Sequence, residues 1–313
     1  MKKRMKKLNV AVEMIICIVV IALAVVSVDY ATEGSISTPK ADFVSKVQAA
    51  PIHTDNLDVL AIGNSNLYSG VNPLKMYQVN HLQSFVIGEA SQSLMHAYYA
   101  LKVSLTHIKP KMVMLEVSSL FGVKNYDSVS RSLHLAKKNC LPLLKGNQGK
   151  VKLSVYDRLR FMNHGYVYRY DCIPFRDTKY MSRRGVNDKM TKQGTVYFKK
   201  MIALCKKNKI PVLAIAVPSA KDWNQRKYLQ AKALLKKLHI RFLDMNQPRI
   251  REELSFDLTN SFNDVRGTHC SVVGANRVSG YLASYIEKYY HLTGQVSKDW
   301  DKEVVKEINR LSR

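Results

Sequence analysis

The sequence predicts an α/β fold with a mainly parallel sheet, and three observations carry that reading. Short apolar runs alternate with helix-patterned segments. The runs at Leu57–Ile62, Met112–Val117 and Pro211–Val217 are near-continuously apolar, as strands covered on both faces require. The first of them stops abruptly in Gly63-Asn64-Ser65-Asn66, small residues at the carboxyl end of a strand, where open parallel sheets place their ligands.

The elements follow in order. Residues 1–7 are basic, and Leu8 to Val28 is an apolar stretch of 21 residues, roughly 31 Å as a helix. That length spans a bilayer core, so the stretch reads as a transmembrane signal anchor. The five preceding positive charges place the N-terminus in the cytoplasm and the remainder outside. A cleaved signal peptide is the alternative, and it exports the domain equally. Residues 29–56 form a polar linker. The domain proper covers 57–292, and 293–313 is a charged helical tail.

Within the domain, Leu57–Ile62 is the first strand and Ser84–Ile87 the second. Ser91 to His107 repeats apolar residues (Leu94, Tyr98, Leu101, Leu105) at helical spacing. Met112–Val117 is the third strand. Residues 121–190, rich in Tyr, Arg and Lys, break the rhythm and read as an insertion with some helix, either a lid or a glycan-contact surface, or an irregular scaffold with amphipathic residues at its surface. The alternation resumes with a helix at 191–208, a strand at 211–217, a helix at 223–238, a strand at 240–243 and a long helix at 273–290. Right-handed crossovers between such strands give a parallel sheet.

The 313 residues are ample for a large core, and 46% apolar content excludes general disorder. The formal charge is +25; residues 1–28 account for +4 of it, leaving +21 on the exported part. Export makes nucleic acid a poor partner and an anionic envelope polymer or glycan a better one. Cys140, Cys172, Cys205 and Cys270 are exported and could be free or paired; Cys17 lies in the apolar stretch. No Cys/His cluster has metal-ligand spacing, and no Gly-x-Gly-x-x-Gly follows a strand, so neither a metal nor a dinucleotide cofactor is expected.

The chemistry-bearing pattern is Ser65 at a strand end and His269, 204 residues later, just before a helix. A serine hydroxyl becomes a nucleophile when an imidazole takes its proton, and a carboxylate orients that imidazole. Asp264, five residues before His269, is the candidate third member if Gly267 bulges the loop; Asp257 is the alternative. Gly88 offers a backbone N–H with room for an oxyanion. Asn64 supports the turn, and Asn66 caps it or touches substrate.

With Gly63-Asn64-Ser65 as a first block and His269 leading to Gly274-Ala275 as a last one, the chain resembles the SGNH (GDSL-type) serine hydrolases and acyltransferases over about residues 55–290. Gly88-Glu-Ala-Ser-Gln-Ser93 and Lys109-Pro-Lys-Met-Val-Met-Leu-Glu-Val-Ser118 resemble the membrane-anchored branch of Gram-positive envelopes, which includes the teichoic-acid D-alanylation protein. The resemblance implies a three-layer flavodoxin-like sheet and a serine esterase or O-acyltransferase with Ser65 as nucleophile and His269 as base. It further implies oxyanion donors at Ser65 and Gly88 and a membrane-embedded acyltransferase as partner. The chain departs from the family at Asn64, where the family has Asp, and at Arg266, where it has the acid. It also lacks the third-block Asn near Ser118. A non-catalytic envelope scaffold or polyanion-binding module of the same fold is the competing expectation.

Overall fold

The computed structural model describes residues 57–121, 128–140, 143, 154–185 and 188–312, without the side chains of Val155 and Arg158. The expected signal anchor at 8–28 and the linker at 29–56 lie outside the described residues. Among the described residues, no helix is long and apolar enough to cross a membrane.

Five parallel strands form the sheet: β1 (Val59–Gly63), β2 (Ser84–Gly88), β3 (Met112–Glu116), β4 (Val212–Ala216) and β5 (Arg241–Asp244), in the order β2-β1-β3-β4-β5. This is the flavodoxin-like order expected above. Every residue of β1 to β4 is buried, which is why these strands read as unbroken apolar runs. Asp58 fixes the opposite, amino-terminal edge. Its carboxylate takes the Gln83 N–H at 2.8 Å and pairs with Lys111 at 2.8 Å, tying three strand starts together.

The strand order reverses at β1. Between β1 and β2 run two short helices, α1 (Ser65–Gly70) and α2 (Pro73–Asn80); between β2 and β3 runs α3 (Leu94–Ser104). Right-handed crossovers running in opposite directions along the sheet, β1 to β2 and then β2 to β3, put these helices on opposite faces. The helices α4 (Val129–Asn139) and α6 (Lys192–Lys207) pack on α3, and α9 (Val272–Tyr290) packs on α1 and α2, completing three layers. The other helices are α5 (Val155–Met162), α7 (Gln225–Leu238), α8 (Pro248–Glu253) and α10 (Lys298–Leu311).

The insertion holds α4 and α5 and then an extended stretch that serves as a strap. Along it, Val86 N–H donates to His164 O, Val167 N–H to Tyr68 O, Val272 N–H to Arg169 O and Ile173 N–H to Phe262 O. Several tyrosines and arginines of the insertion turn inward: Tyr166, Tyr168, Arg160 and Arg169 are buried, while Tyr170, Arg176, Arg183 and Arg184 are exposed. The strap thus joins β2, α1 and the loop that carries His269. The tail helix α10 packs on α2 through Trp300, which contacts Leu74 and Tyr77 and stacks on His164. Its Glu307 accepts bonds from Asn72 and Tyr168.

Candidate active site

The turn after β1 begins with a close approach. A Cβ on Gly63 would stand 2.5 Å from Glu116 Cβ and 2.9 Å from Leu67 Cβ, so only glycine lets β1 end this near β3. Asn64 then caps α1: its Oδ1 accepts the Asn66 N–H at 3.0 Å. Its Nδ2 donates to Ser118 Oγ at 2.8 Å and Ser119 Oγ at 3.2 Å. Ser118 in turn donates its hydroxyl and its backbone N–H to the two carboxylate oxygens of Glu116. Ser65 is therefore the first residue of a helix whose cap is braced from the neighbouring strand. It is half-buried, at the sheet edge where the strand order reverses.

A chain of bonds leads from this turn to His269. Asn66, buried beside Ser65, donates to Asp222 Oδ2 at 3.3 Å. Asp222 N–H donates to Ser219 Oγ, and that hydroxyl donates to the carbonyl of Thr268 at 2.9 Å. Ala220 N–H donates to Gly267 O, fastening the same loops again. The end of β4 thus positions the histidine loop against the serine turn. Among the described residues, no hydrogen bond joins Ser65 Oγ to His269.

Gly267 has φ +63°, and a Cβ there would meet Ala220 Cβ at 2.9 Å. Gly267→Ala is expected to lower stability by about 1–2 kcal/mol, read as a shift of the thermal midpoint. The bulge it allows does bring Asp264 back to the loop, though toward the backbone. Asp264 accepts the N–H groups of Arg266, Thr268 and His269 and the Thr268 hydroxyl. Among the described residues, its carboxylate makes no bond to the imidazole. Asp257 is engaged with Thr259, whose N–H and hydroxyl hold its carboxyl below the usual range.

His269 is half-buried, and its Nε2 is enclosed with no hydrogen-bond partner among the described residues. Burial pushes the imidazole down to about 3, Arg169 adds to the effect, Asp264 partly opposes it, and Lys221 and Arg266 push it down further. It is a neutral base throughout the physiological range.

Gly88 ends β2 opposite Gly63. A Cβ on it would lie 3.1 Å from Tyr68 and 3.2 Å from Asn64 O, so it closes the other side of the serine turn. Its carbonyl accepts a bond from Arg160. The bracing by Glu116, Ser118 and Asp222 was not legible in the sequence. Glu116 ending an apolar strand was its one visible sign, since a carboxylate there must find partners.

All four described cysteines are free; Cys140, Cys205 and Cys270 are buried. Among the described residues, no group of three or more His, Cys, Asp or Glu side chains is arranged to hold a metal ion.

No protein-family model matches the chain, and no curated protein matches it significantly. Solved structures do resemble it. A putative acylhydrolase from Bacteroides fragilis is 13% identical over 79% of this chain and 94% of its own, with a TM-score of 0.40. A GDSL-like lipase from Bacteroides thetaiotaomicron is 14% identical over 79% and 95%, with a TM-score of 0.39. A lipase/acylhydrolase from Enterococcus faecalis is 10% identical over 77% and 100%, with a TM-score of 0.41.

Proposed function

We propose that the protein is a serine-dependent O-acyl esterase or acyltransferase of the SGNH kind, acting outside the membrane on a cell-envelope polymer such as a teichoic acid or polysaccharide. The observation that supports this reading is the bonded path from Asn66 through Asp222 and Ser219 to Thr268, which links the turn of Ser65 to the loop of His269, whose Nε2 has no partner among the described residues.

In this mechanism Ser65 Oγ attacks the ester carbonyl while His269 Nε2 takes its proton. The backbone N–H groups of Ser65 and Gly88 hold the oxyanion, each such donor being worth roughly 10²–10³ in rate. The tetrahedral adduct collapses, and the proton on His269 passes to the leaving alcohol. Water or a polymer hydroxyl then attacks the acyl-Ser65 ester, giving up its proton to His269, and Ser65 recovers its own. With Asp264 committed to backbone N–H groups, the imidazolium that forms is stabilised by that carboxylate only at a distance. The N-terminal apolar stretch would tether the domain to the membrane, where a membrane-embedded acyltransferase could deliver the acyl group.

The full-length protein is expected to be labelled at Ser65 by a fluorophosphonate, and Ser65→Ala is expected to abolish the label. A folded wild-type protein that resists labelling would instead favour the second reading, a non-catalytic polyanion-binding module. The absence of a bond between Asp264 and the imidazole is what supports that second reading.

A further inference from the structure

Two arginines of the insertion, Arg160 in α5 and Arg169 in the strap, are buried, and their surroundings differ. Arg160 donates to Gly88 O and Asn139 Oδ1, with carboxylate oxygens of Asp157 and Glu89 at 3.6 and 3.7 Å. Arg169 is only 6% exposed, and its Nε donates to Ser69 Oγ at 2.9 Å. Among the described residues, no carboxylate reaches its guanidinium. Arg169 acts on His269, Cys270, Tyr156 and Tyr166. All four are uncharged at neutral pH: burial raises the two phenols and the thiol, and lowers the imidazole.

Arg169 is therefore a buried positive charge with no counterion among the described residues. Such a charge costs several kcal/mol unless it is paired, and a guanidinium cannot shed its proton to escape the cost. Ser69 occupies one of its five N–H donors. Lys221 and Arg266 add positive charge around the same histidine, while Asp264 is spent on its own loop's N–H groups.

We propose that Arg169 is the anion-binding group of this site, taking an oxyanion that the substrate carries close to its acyl ester. The planar fork suits a phosphate or a carboxylate, both of which it can grip with two parallel bonds. The assignment rests on Ser65 and His269 being the reacting pair, and it narrows the substrate to esters on an acidic polymer. It also gives the anion a second effect. A negative group beside Arg169 cancels the repulsion on His269, so the base strengthens when the correct substrate is bound.

The test follows the His269 imidazole by NMR in the full-length protein, with inorganic phosphate as probe. Saturating phosphate is expected to raise the titration midpoint of His269 by about one pH unit or more. Arg169→Lys should weaken that response and Arg169→Gln should remove it. A wild-type midpoint that phosphate and glucuronate both leave unmoved overturns the proposal, as does an equal response in Arg169→Gln. A response to glucuronate alone assigns the site to carboxylates, and a response to phosphate assigns it to phosphates. Fluorophosphonate labelling separates the two levels. Labelled Ser65 with no anion response removes the anion site and leaves the esterase. An anion response without labelling removes the esterase and leaves the anion site.

Discussion

Replacing His269 with alanine is expected to slow ester cleavage by roughly 10⁴–10⁶-fold, the scale on which serine hydrolases depend on their general base. Neither acid of the histidine loop is free to replace it: Asp264 is held by four donors of its own loop, and Asp257 by Thr259. The pH profile sharpens the expectation. An ordinary histidine near 6.5 gives an acid limb in the physiological range. His269, held at about 3, is already free base above pH 4, so kcat/KM should be flat from pH 5 to 8. The limb in kcat should lie higher than that in kcat/KM for an anionic ester, because the bound anion supports the imidazolium. The same shift has a consequence for stability. Between pH 6.5 and 3 the unfolded chain binds a proton that the folded imidazole refuses, so His269 destabilises the fold progressively as pH falls through that window. A kcat/KM limb near 6.5, or a His269→Ala variant within tenfold of wild type, would refute the assignment.

The sequence made the sheet legible because its strands are buried on both faces. Strands at 59–63, 84–88, 112–116, 212–216 and 241–244 fall on the apolar runs within a residue or two. The helices α1 and α2 did not show. Both are short and mostly buried, so no amphipathic stripe marks them. Asn72 before Pro73 was the available signal, an N-cap followed by proline at the first helical position. The helix α8 was missed for the same brevity. Ser65 and His269 stood out because each ends or begins an element. Asp222 and Arg169 did not, since what distinguishes them is spatial. Asp222 matters because Asn66, 156 positions away, reaches it, and Arg169 because, among the described residues, no acid does. The tyrosine- and arginine-rich insertion looked like surface because its composition is polar. Folding it as a strap between β2 and the histidine loop buries Tyr166, Tyr168 and Arg169 and gives its backbone partners along the way.

Glu116→Gln is expected to make the fold more stable than wild type at pH 8, and the two proteins should converge toward pH 4.5. Glu116 is buried at the end of β3, directly beneath Gly63. Burial raises its carboxyl to about 7; the bonds from Ser118 pull it down, Asp222 adds to the rise, and Lys227 opposes it. A carboxyl raised in the folded state keeps its proton after the unfolded chain has lost one. Stability therefore falls as pH rises from about 4.5, and the loss is complete above 7. The shift corresponds to about 3 kcal/mol, or several degrees in the thermal midpoint of a domain this size. Glutamine has no proton to lose, so its curve lacks that slope. The native carboxylate is retained at this cost because it accepts from both donors of Ser118, and Ser118 receives the Asn64 amide that caps the Ser65 helix. Glutamine offers one acceptor and one donor there, so the Ser118 hydroxyl loses its acceptor and the cap loosens. The variant should accordingly gain stability at pH 8 while its Ser65 is labelled more slowly. Parallel stability curves for the two proteins between pH 4.5 and 8 would show that Glu116 is not the buried titrating group, and unchanged labelling would uncouple it from the serine.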